Sequence, residues 1–196
     1  DASSVYANGK VVFVYNVGSG GKAIVGTVNP SNNSISFGST AVFSPTAADI
    51  ASTYDSNNDR VVISYRNVNN NGYIEAIVGE VNTSNNTIGF GNTVVAEYSD
   101  SEYSSATYDS TSNRVVISYR KSTPDSGKSI VGTVDPNTNS ISFGTSNAFE
   151  SVAGAVQITS AYDTIANRVV IAYRYNGSPW NGRAIAGTVD PNDNSI

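Results

Sequence analysis

The stretch YDSTSNRVVISYR, residues 108–120, decides the fold because the chain repeats it. The motif Y-D-x4-R-V-V-I-x-Y-R also occurs at 54–66 and 162–174, and a shortened copy, YANGKVVFVYN, covers 6–16. Repetition at a fixed period is typical of proteins in which one supersecondary unit is stacked several times. The first question is therefore which unit is repeated.

Two further blocks follow the copies of this motif. Segments like AIVGTV occur at 22–28, 75–81, 128–134 and 183–189, and segments like SISFG at 33–38, 86–91 and 139–144. With the small-residue runs before each motif, every unit contains four short strands separated by Asn-, Asp-, Gly- and Pro-rich turns. The predicted fourth strand runs from SISFG towards Phe43, Tyr98 or Phe149. The fourth unit reaches only NSI, so its last strand is missing.

Four strands per unit of about 50 residues predict an all-β protein, a β-propeller of four-stranded antiparallel blades with the last blade incomplete. A single domain over 1–196 is divided approximately into repeats 1–49, 50–103, 104–158 and 159–196. The RVVISYR strand has apolar residues on both faces, as a sheet between two neighbouring sheets requires. A β-solenoid-like repeat array is the alternative, although solenoid repeats are usually shorter.

Composition limits the class of partner. Charged residues make up 14% of the 196 residues and the net charge is −5, which argues against nucleic acid. No apolar run is long enough for membrane insertion. Cys, His and Met are absent, which excludes disulfides, thiol chemistry and the commonest general base. Without Met the chain cannot begin at its own start codon, so we expect a processed, secreted or extracellular protein, or a segment of a longer one.

The loops divide between two faces of the predicted propeller. Turns such as DSTSN, between the first and second strands, are nearly uniform, and we call their side the uniform face. Loops between the second and third strands vary in length and chemistry, and we call their side the variable face; these loops are 17–21, 67–74, 121–127 and 175–182. Loops free to vary usually carry function, so we expect the ligand there.

The candidate ligand-binding residues belong to the variable face. An arginine ends each full second strand and could contact hydroxyls or a carboxylate bidentately, although a bond to a neighbouring blade or loop is the alternative. Aromatic loop residues suit stacking on sugar rings, although plain loop packing would also explain them. These candidates are Arg66, Arg120, Arg174, Tyr73, Tyr175 and Trp180.

The repeated Asp and Arg at the hairpin turn are interpreted as scaffold. Asp109 and Arg114 flank the turn, where a cross-strand pair or an Asp–backbone bond would fix its shape. In the first copy the turn is shorter, and Ala7 and Lys10 replace the two residues together. No catalytic residue is therefore predicted at this turn.

Two turns resemble the start of a calcium loop. DPNTNS, 135–140, and DPNDNS, 190–195, match D-x-N-x-N, but the following Gly and the distal Glu are missing. Asx bonds within a proline-containing turn explain the motif without metal. We therefore predict no metal and no cofactor, with calcium as a disfavoured alternative.

The blocks YD…VVISYR, AIVGTV and SISFG together resemble propeller-type repeats of extracellular, adhesin-like and phage-associated proteins, and are similar in plan to lectin propellers. The resemblance covers all 196 residues and implies fold more than ligand. Sialidase propellers also use Tyr, Asp and Arg, but their Asp-box, S-x-D-x-G-x-T-W, is absent. Nothing matches their arginine triad as three non-equivalent residues.

Three functional hypotheses follow. The preferred one is a secreted, lectin-like module that binds glycans through sites repeated on one face, with avidity from repetition. The second is a structural or adhesive segment of a larger surface or phage-associated protein, whose last blade is completed by further repeats or another chain. The third and least favoured, because the polar residues repeat, is a glycosidase or lyase using Asp49, Glu75, Asp100, Glu102, Asp125 or Glu150.

Overall fold

A computed structural model describes residues 1–18 and 20–196; Ser19, within the predicted loop 17–21, lies outside the described residues. All regular structure in this part of the chain is β. The strands are β1 (Ala2–Ala7), β2 (Lys10–Val17), β3 (Gly20–Asn29), β4 (Ser34–Phe37), β5 (Ala41–Ser44), β6 (Ala48–Asp55), β7 (Arg60–Asn67), β8 (Tyr73–Asn82), β9 (Thr87–Phe90), β10 (Val94–Glu97), β11 (Ser101–Asp109), β12 (Arg114–Lys121), β13 (Ser126–Asp135), β14 (Ser140–Phe143), β15 (Asn147–Glu150), β16 (Ala155–Asp163), β17 (Arg168–Tyr175) and β18 (Asn181–Gly187). Among the described residues there is no helix that could cross a membrane.

The strands form four antiparallel sheets in chain order, which we number blades 1 to 4. Each first strand pairs with the second and each second with the third, and the first strands β1, β6, β11 and β16 pack side by side along a common axis. Separate sheets that pack face to face round an axis form a β-propeller, so the predicted fold is confirmed. The solenoid alternative is wrong, because successive repeats do not share continuous sheets.

The predicted fourth strand is two segments. In blade 1, β4 pairs with the end of β3 at Gly26–Asn29, and β5 pairs with its beginning at Gly21–Ala23. Blades 2 and 3 repeat this arrangement, and the described residues of blade 4 form a three-stranded sheet. The first strands of blades 2, 3 and 4 begin at Ala48, Ser101 and Ala155, two to four residues before the predicted repeat limits.

The apolar residues of each second strand point alternately to the two neighbouring blades. Val115, Ile117 and Tyr119 of β12 pack against blade 2, whereas Val116 packs with residues of blade 4. This alternation explains why RVVISYR carries no polar face. The first strands need small residues instead, and the hydroxyls of Ser105 and Ser160 lie 2.9 Å apart between the adjacent strands β11 and β16.

The hairpin motif joins neighbouring blades. Asp109 accepts hydrogen bonds from the backbone N–H groups of Thr111, at 2.9 Å, and Ser112, at 3.1 Å. Arg114 donates to the Pro191 carbonyl at 2.7 Å and to Asn194 Oδ1 at 2.6 Å in the next blade. The predicted Asp–backbone bond is therefore confirmed. The alternative, a direct Asp–Arg ion pair, does not form at this turn.

The equivalent contact between blades 2 and 3 also involves a glycine and an asparagine. Arg60 of blade 2 donates to Asn139 Oδ1 and to the Pro136 carbonyl of blade 3. The backbone carbonyl of Asn139 lies where a side chain at Gly91 would begin, 1.9 Å from the Cβ position. We call the contacts of Arg60, Gly91 and Asn139 the seam; Arg114, Gly144 and Asn194 form the equivalent seam between blades 3 and 4.

Candidate functional site

The first strands converge at the variable face round a small cavity on the propeller axis. The cavity has a volume of about 220 Å³, and each blade contributes one equivalent residue to its lining: Asp1, Asp49, Tyr103 and Gln157. We call it the axial cavity. Blades 1 and 2 place an aspartate there, whereas blades 3 and 4 place Tyr103 and Gln157, which makes the lining of the cavity asymmetric.

Three of these residues have a left-handed backbone. The φ angles are 48° at Asp49, 54° at Tyr103 and 54° at Gln157, where the register of the first strand shifts. Asp tolerates this conformation, but for Tyr and Gln it is uncommon. Residues in sparsely populated backbone regions cost about 1–3 kcal/mol and cluster at functional sites. The distortion recurs in three blades and places three unlike residues on the cavity.

Asp49 is a half-buried acid of the axial cavity. Its N–H donates to Asp1 Oδ2 at 3.1 Å, and the hydroxyl of Ser104 donates to its carbonyl. Burial raises the pKa of the Asp49 carboxyl, and the N–H of Tyr103 and the positive charge of Arg66 only partly oppose this. Asp49 therefore holds its proton to a higher pH than an exposed aspartate does.

Two of the predicted arginines are bound to carboxylates of the variable face. Arg66 Nη2 lies 2.7 Å from Asp100 Oδ1. Arg120 Nε lies 2.8 Å from Asp125 Oδ1, and its Nη1 lies 3.1 Å from Glu102 Oε2. These hydrogen bonds raise the pKa of both guanidinium groups against the effect of burial. Both arginines are fixed in place and largely neutralised, so they do not offer a free positive charge.

The third predicted arginine, Arg174, has a different environment. Its guanidinium carbon lies 4.8 Å from the centroid of the Trp180 ring, and Trp180 is 69% exposed. Among the ion pairs of the described residues, none involves Arg174, and its Nε is buried without a hydrogen-bond partner. Tyr175 also contacts a cation, with the Arg183 guanidinium 3.5 Å above its ring. Blade 4 thus brings two of the predicted residues, Arg174 and Trp180, into contact, whereas Tyr175 binds Arg183.

A second aromatic pair lies on blade 2. Tyr73 packs edge-to-face against Tyr98, with ring centroids 5.7 Å apart, and Tyr98 is 74% exposed. Tyr98 was missed as a candidate because the sequence placed it in the last strand of the blade. That strand, β10, ends at Glu97, so Tyr98 belongs to the connection between blades. The residues of the axial cavity were missed because no motif marks them.

The carboxylates considered for catalysis separate into two groups. Glu75 is buried and accepts hydrogen bonds from Tyr65, at 2.9 Å, and Asn70, at 2.7 Å, so it stabilises its own blade. Glu150 is likewise bound, by Tyr173 at 3.2 Å and, as an ion pair, by Arg183 at 2.6 Å. Asp100, Glu102 and Asp125 hold arginines, which leaves Asp49 as the acid that faces the axial cavity without such a bond.

The oxygen atoms of the calcium-like motif are used by the turn. Asp135 accepts hydrogen bonds from the N–H of Asn137 and the hydroxyl of Thr138, both at 2.9 Å, and these bonds lower the pKa of Asp135. Asn139 binds Arg60 of blade 2. Within residues 1–18 and 20–196 no group of three or more His, Cys, Asp or Glu side chains could hold a metal ion. The expectation of no cofactor stays a prediction.

Comparison with known proteins shows the fold and no closer relationship. No family model matches the chain, and no curated protein matches it in sequence. Among solved structures, "NanB plus Optactamide" aligns with a TM-score of 0.58 at 12% identity over 91% of this chain. "Trypanosoma rangeli sialidase in complex with the inhibitor DANA" aligns with a TM-score of 0.54 at 14% identity over 93%.

The chain spans only 29% and 35% of the lengths of these two proteins. At 12% and 14% identity, these two likenesses confirm the propeller fold. The finer resemblance to lectin-like or adhesin-like repeats is not confirmed, since no family model matches.

Proposed function

We propose that the protein is an extracellular carbohydrate-binding propeller that binds glycans on its variable face. One observation carries the proposal: on blades 2 and 4, exposed aromatic rings lie beside fixed polar groups on this face. Trp180 offers an apolar ring held by Arg174, and Tyr98 offers one held by Tyr73. Aromatic faces combined with oriented hydrogen-bonding groups suit sugar rings, which have apolar faces and hydroxyl edges.

The charges round Arg66 and Arg120 on the variable face favour a neutral glycan. Arg66 and Arg120 are bound to Asp100, Asp125 and Glu102, so carboxylates outnumber guanidinium groups in this cluster. A carboxylated sugar would have to displace these carboxylates to reach the arginines, whereas neutral hydroxyls can bond to the oxygens already present. At this cluster we therefore expect neutral sugars to bind more tightly than acidic ones.

A glycan array followed by titration calorimetry tests this function. We expect Trp180→Ala and Tyr98→Ala each to weaken binding about two- to twelvefold, since an aromatic contact contributes about 0.5–1.5 kcal/mol. Tyr6→Ala is the matched control, because Tyr6 is also 69% exposed but lies near the uniform face. Asp109→Ala should lower stability without changing affinity for the sugar.

Failure to bind any sugar by a folded protein would contradict the proposal. It would favour the alternative of a structural or adhesive segment within a larger surface protein. Equal losses from Tyr6→Ala and Trp180→Ala would show that the variable face is not the binding surface.

A second candidate function, glycoside hydrolysis, rests on Asp49. A carboxylic acid whose pKa is raised by burial beside a cavity is suited to donate a proton to a leaving oxygen. The test is hydrolysis of fluorogenic glycosides by the wild-type chain and by Asp49→Asn. Turnover that is unchanged in Asp49→Asn, or absent in the wild type, excludes this role for Asp49.

A further inference from the structure

A buried tyrosine binds a glutamate in each of blades 2 to 4. The tyrosine is the second-last residue of the motif R-V-V-I-x-Y-R. Its hydroxyl donates to the glutamate at 2.9 Å in blade 2, 2.8 Å in blade 3 and 3.2 Å in blade 4. The pairs are Tyr65–Glu75, Tyr119–Glu97 and Tyr173–Glu150.

The glutamates come from two different places. In blades 3 and 4 the preceding blade supplies them, because Glu97 ends β10 and Glu150 ends β15. A cation on the tyrosine's own blade completes each contact: Lys121 lies 3.5 Å from Glu97, and Arg183 lies 2.6 Å from Glu150. In blade 2 the preceding blade ends its last strand with Ser44, and the blade supplies its own Glu75.

The residue opposite the tyrosine on the third strand differs between blades whose glutamate comes from the preceding blade and the blade that supplies its own. Tyr65 lies opposite the glutamate that binds it, Glu75. Tyr119 lies opposite Lys128 and Tyr173 opposite Arg183. In blade 4 the cation at this position, Arg183, pairs with the carboxylate of the preceding blade, whereas in blade 3 Lys128 donates to Ser146 and Lys121 makes the ion pair. In blade 2 the acid at this position takes the place of a carboxylate from the preceding blade.

Blade 1 has the tyrosine and the cation but no carboxylate. Tyr15 lies opposite Lys22 in the same register. None of the ion pairs in the described part of the chain involves Lys22, and both side chains are partly exposed. This is the arrangement of blade 4 without the glutamate, since Val17 stands where blade 3 has Lys121.

The apolar surface round Tyr15 also matches a buried blade face. Phe13 contacts Phe37 edge-to-face at 5.7 Å, and Phe37 is exposed. Ile35 is 40% exposed, whereas its equivalents Ile88 and Ile141, which are covered by the preceding blade, are 5% and 3% exposed. The face of blade 1 that points away from blade 2 thus has the residues of a blade interface.

We propose that this face of blade 1 binds a further blade of the same repeat, which carries a glutamate at the position of Glu97 and Glu150. The incoming carboxylate accepts a hydrogen bond from the Tyr15 hydroxyl and pairs with Lys22. The apolar residues of the incoming third strand cover Phe13 and Ile35. The charge of Lys22 selects such a blade over one that ends in serine, as blade 1 itself does at Ser44.

The test adds a blade to the whole chain. Residues 101–156, which contain blade 3 and its Glu150, are inserted directly before Asp1, so that the spacing between consecutive blades is kept. Nitration of Tyr15 by tetranitromethane is measured by mass spectrometry. We expect Tyr15 to react in the original chain and to be protected at least tenfold in the extended chain.

A double-mutant cycle measures the charge contact directly. Glu150→Gln in the inserted copy and Lys22→Gln should be coupled by about three- to tenfold in the unfolding equilibrium constant. Lys10→Gln is the matched control, since Lys10 lies on the same blade but bonds to Thr27 at the uniform face. Its coupling to the inserted glutamate should be absent.

Several results would overturn the proposal. The first is nitration of Tyr15 at the same rate in the original and extended chains. The second is equal coupling of the inserted glutamate to Lys22 and to Lys10. The third is an inserted blade that stays unfolded while the rest of the chain is folded. Sedimentation analysis of the original chain then measures its oligomeric state. A dimer that protects Tyr15 without any added blade would show that a second copy occupies this face instead.

Discussion

At the scale of single residues, the positions that distinguish one blade from another are those at the axis. Asp49, Tyr103 and Gln157 share a left-handed backbone but no side-chain chemistry. The bulge that produces this backbone is part of the scaffold, since it recurs in three blades. What varies is the group placed on the cavity, so the asymmetry that a specific site requires is found here.

Replacing Asp49 by Asn should stabilise the protein at neutral pH. Burial raises the folded-state pKa of Asp49 above its ordinary value of 3.8, so ionising this carboxyl costs more in the folded than in the unfolded chain. The penalty is absent below pH 3.8, where both states are protonated, and is complete above the folded-state pKa. We expect a higher free energy of unfolding in urea for Asp49→Asn at pH 7, and a difference that vanishes towards pH 3.

Asp59→Asn is the matched control for this substitution. Asp59 also has a left-handed backbone, with φ of 57°, but it is exposed at the uniform face, where the equivalent residues are Asn113 and Asn167. Its substitution should not reproduce the pH-dependent gain. A loss of stability in Asp49→Asn at pH 7 would contradict the assignment of Asp49 as a desolvated acid.

At the scale of elements, the strands could be predicted well because each has a simple physical signature. RVVISYR is apolar on both faces since it lies between two blades, and it was found as a strand on that basis. The division of the fourth strand was not found. The break follows β9 at Gly91, where the chain meets Asn139 of the next blade, a contact that the pattern within one repeat does not contain.

The contacts of the seam predict different effects on stability for substitutions at Gly91 and at Gly89. Gly91→Ala should lower the free energy of unfolding by about 2 kcal/mol or more, because its methyl group would overlap the Asn139 carbonyl. Gly89→Ala, in β9, meets nothing within 4 Å and should be neutral or slightly stabilising. Thermal and urea unfolding of both variants measure the difference. Equal effects would show that the seam does not hold blades 2 and 3 together.

At the scale of the whole molecule, stability depends on contacts between consecutive blades. Each blade packs its apolar residues on its neighbours, and the stability of such an array is approximately a sum of unit and interface terms. The tyrosine–glutamate contacts between blades 2 and 3 and between blades 3 and 4 add charge to these interfaces. The array should therefore respond to acid through Glu150.

Glu150 should make folding sensitive to acid. Burial alone would raise its pKa, but the N–H of Val152, the Arg183 guanidinium and the Tyr173 hydroxyl outweigh burial and hold the pKa below its ordinary value of 4.5. The stabilisation is thus complete above pH 4.5 and is lost as the pH falls through the folded-state pKa. We expect Glu150→Gln to be less stable than wild type at pH 7, and the gap in urea unfolding to close as the pH falls below 4.5.

Glu80→Gln is the control for this acid sensitivity. The Glu80 side chain is 56% exposed and lies 3.6 Å from Arg60, so its ion pair is screened by water. Its substitution should change stability little at any pH. A gap between wild type and Glu150→Gln that widens in acid would contradict the proposed contact.

The candidate site could be predicted only in part, for a physical reason. Arg66, Arg120, Arg174 and Trp180 were found because strand order places the ends of second strands and their loops on one face. Their partners were not found, since Asp100 and Tyr98 belong to connections whose path depends on the neighbouring blade. The axial cavity forms where residues of all four repeats meet. The sequence pattern within one repeat does not show where different repeats come together.

The seam has a consequence for how such a gene can change. Its arginine and glycine come from one repeat and its asparagine from the next, so every junction is encoded by only two adjacent copies. A recombination event that duplicates or deletes one 54-residue copy then recreates a complete junction without altering any other. The number of copies can therefore change between lineages while the geometry of each junction is inherited unchanged. Selection can then act on the residues at the axis separately from those that hold the copies together.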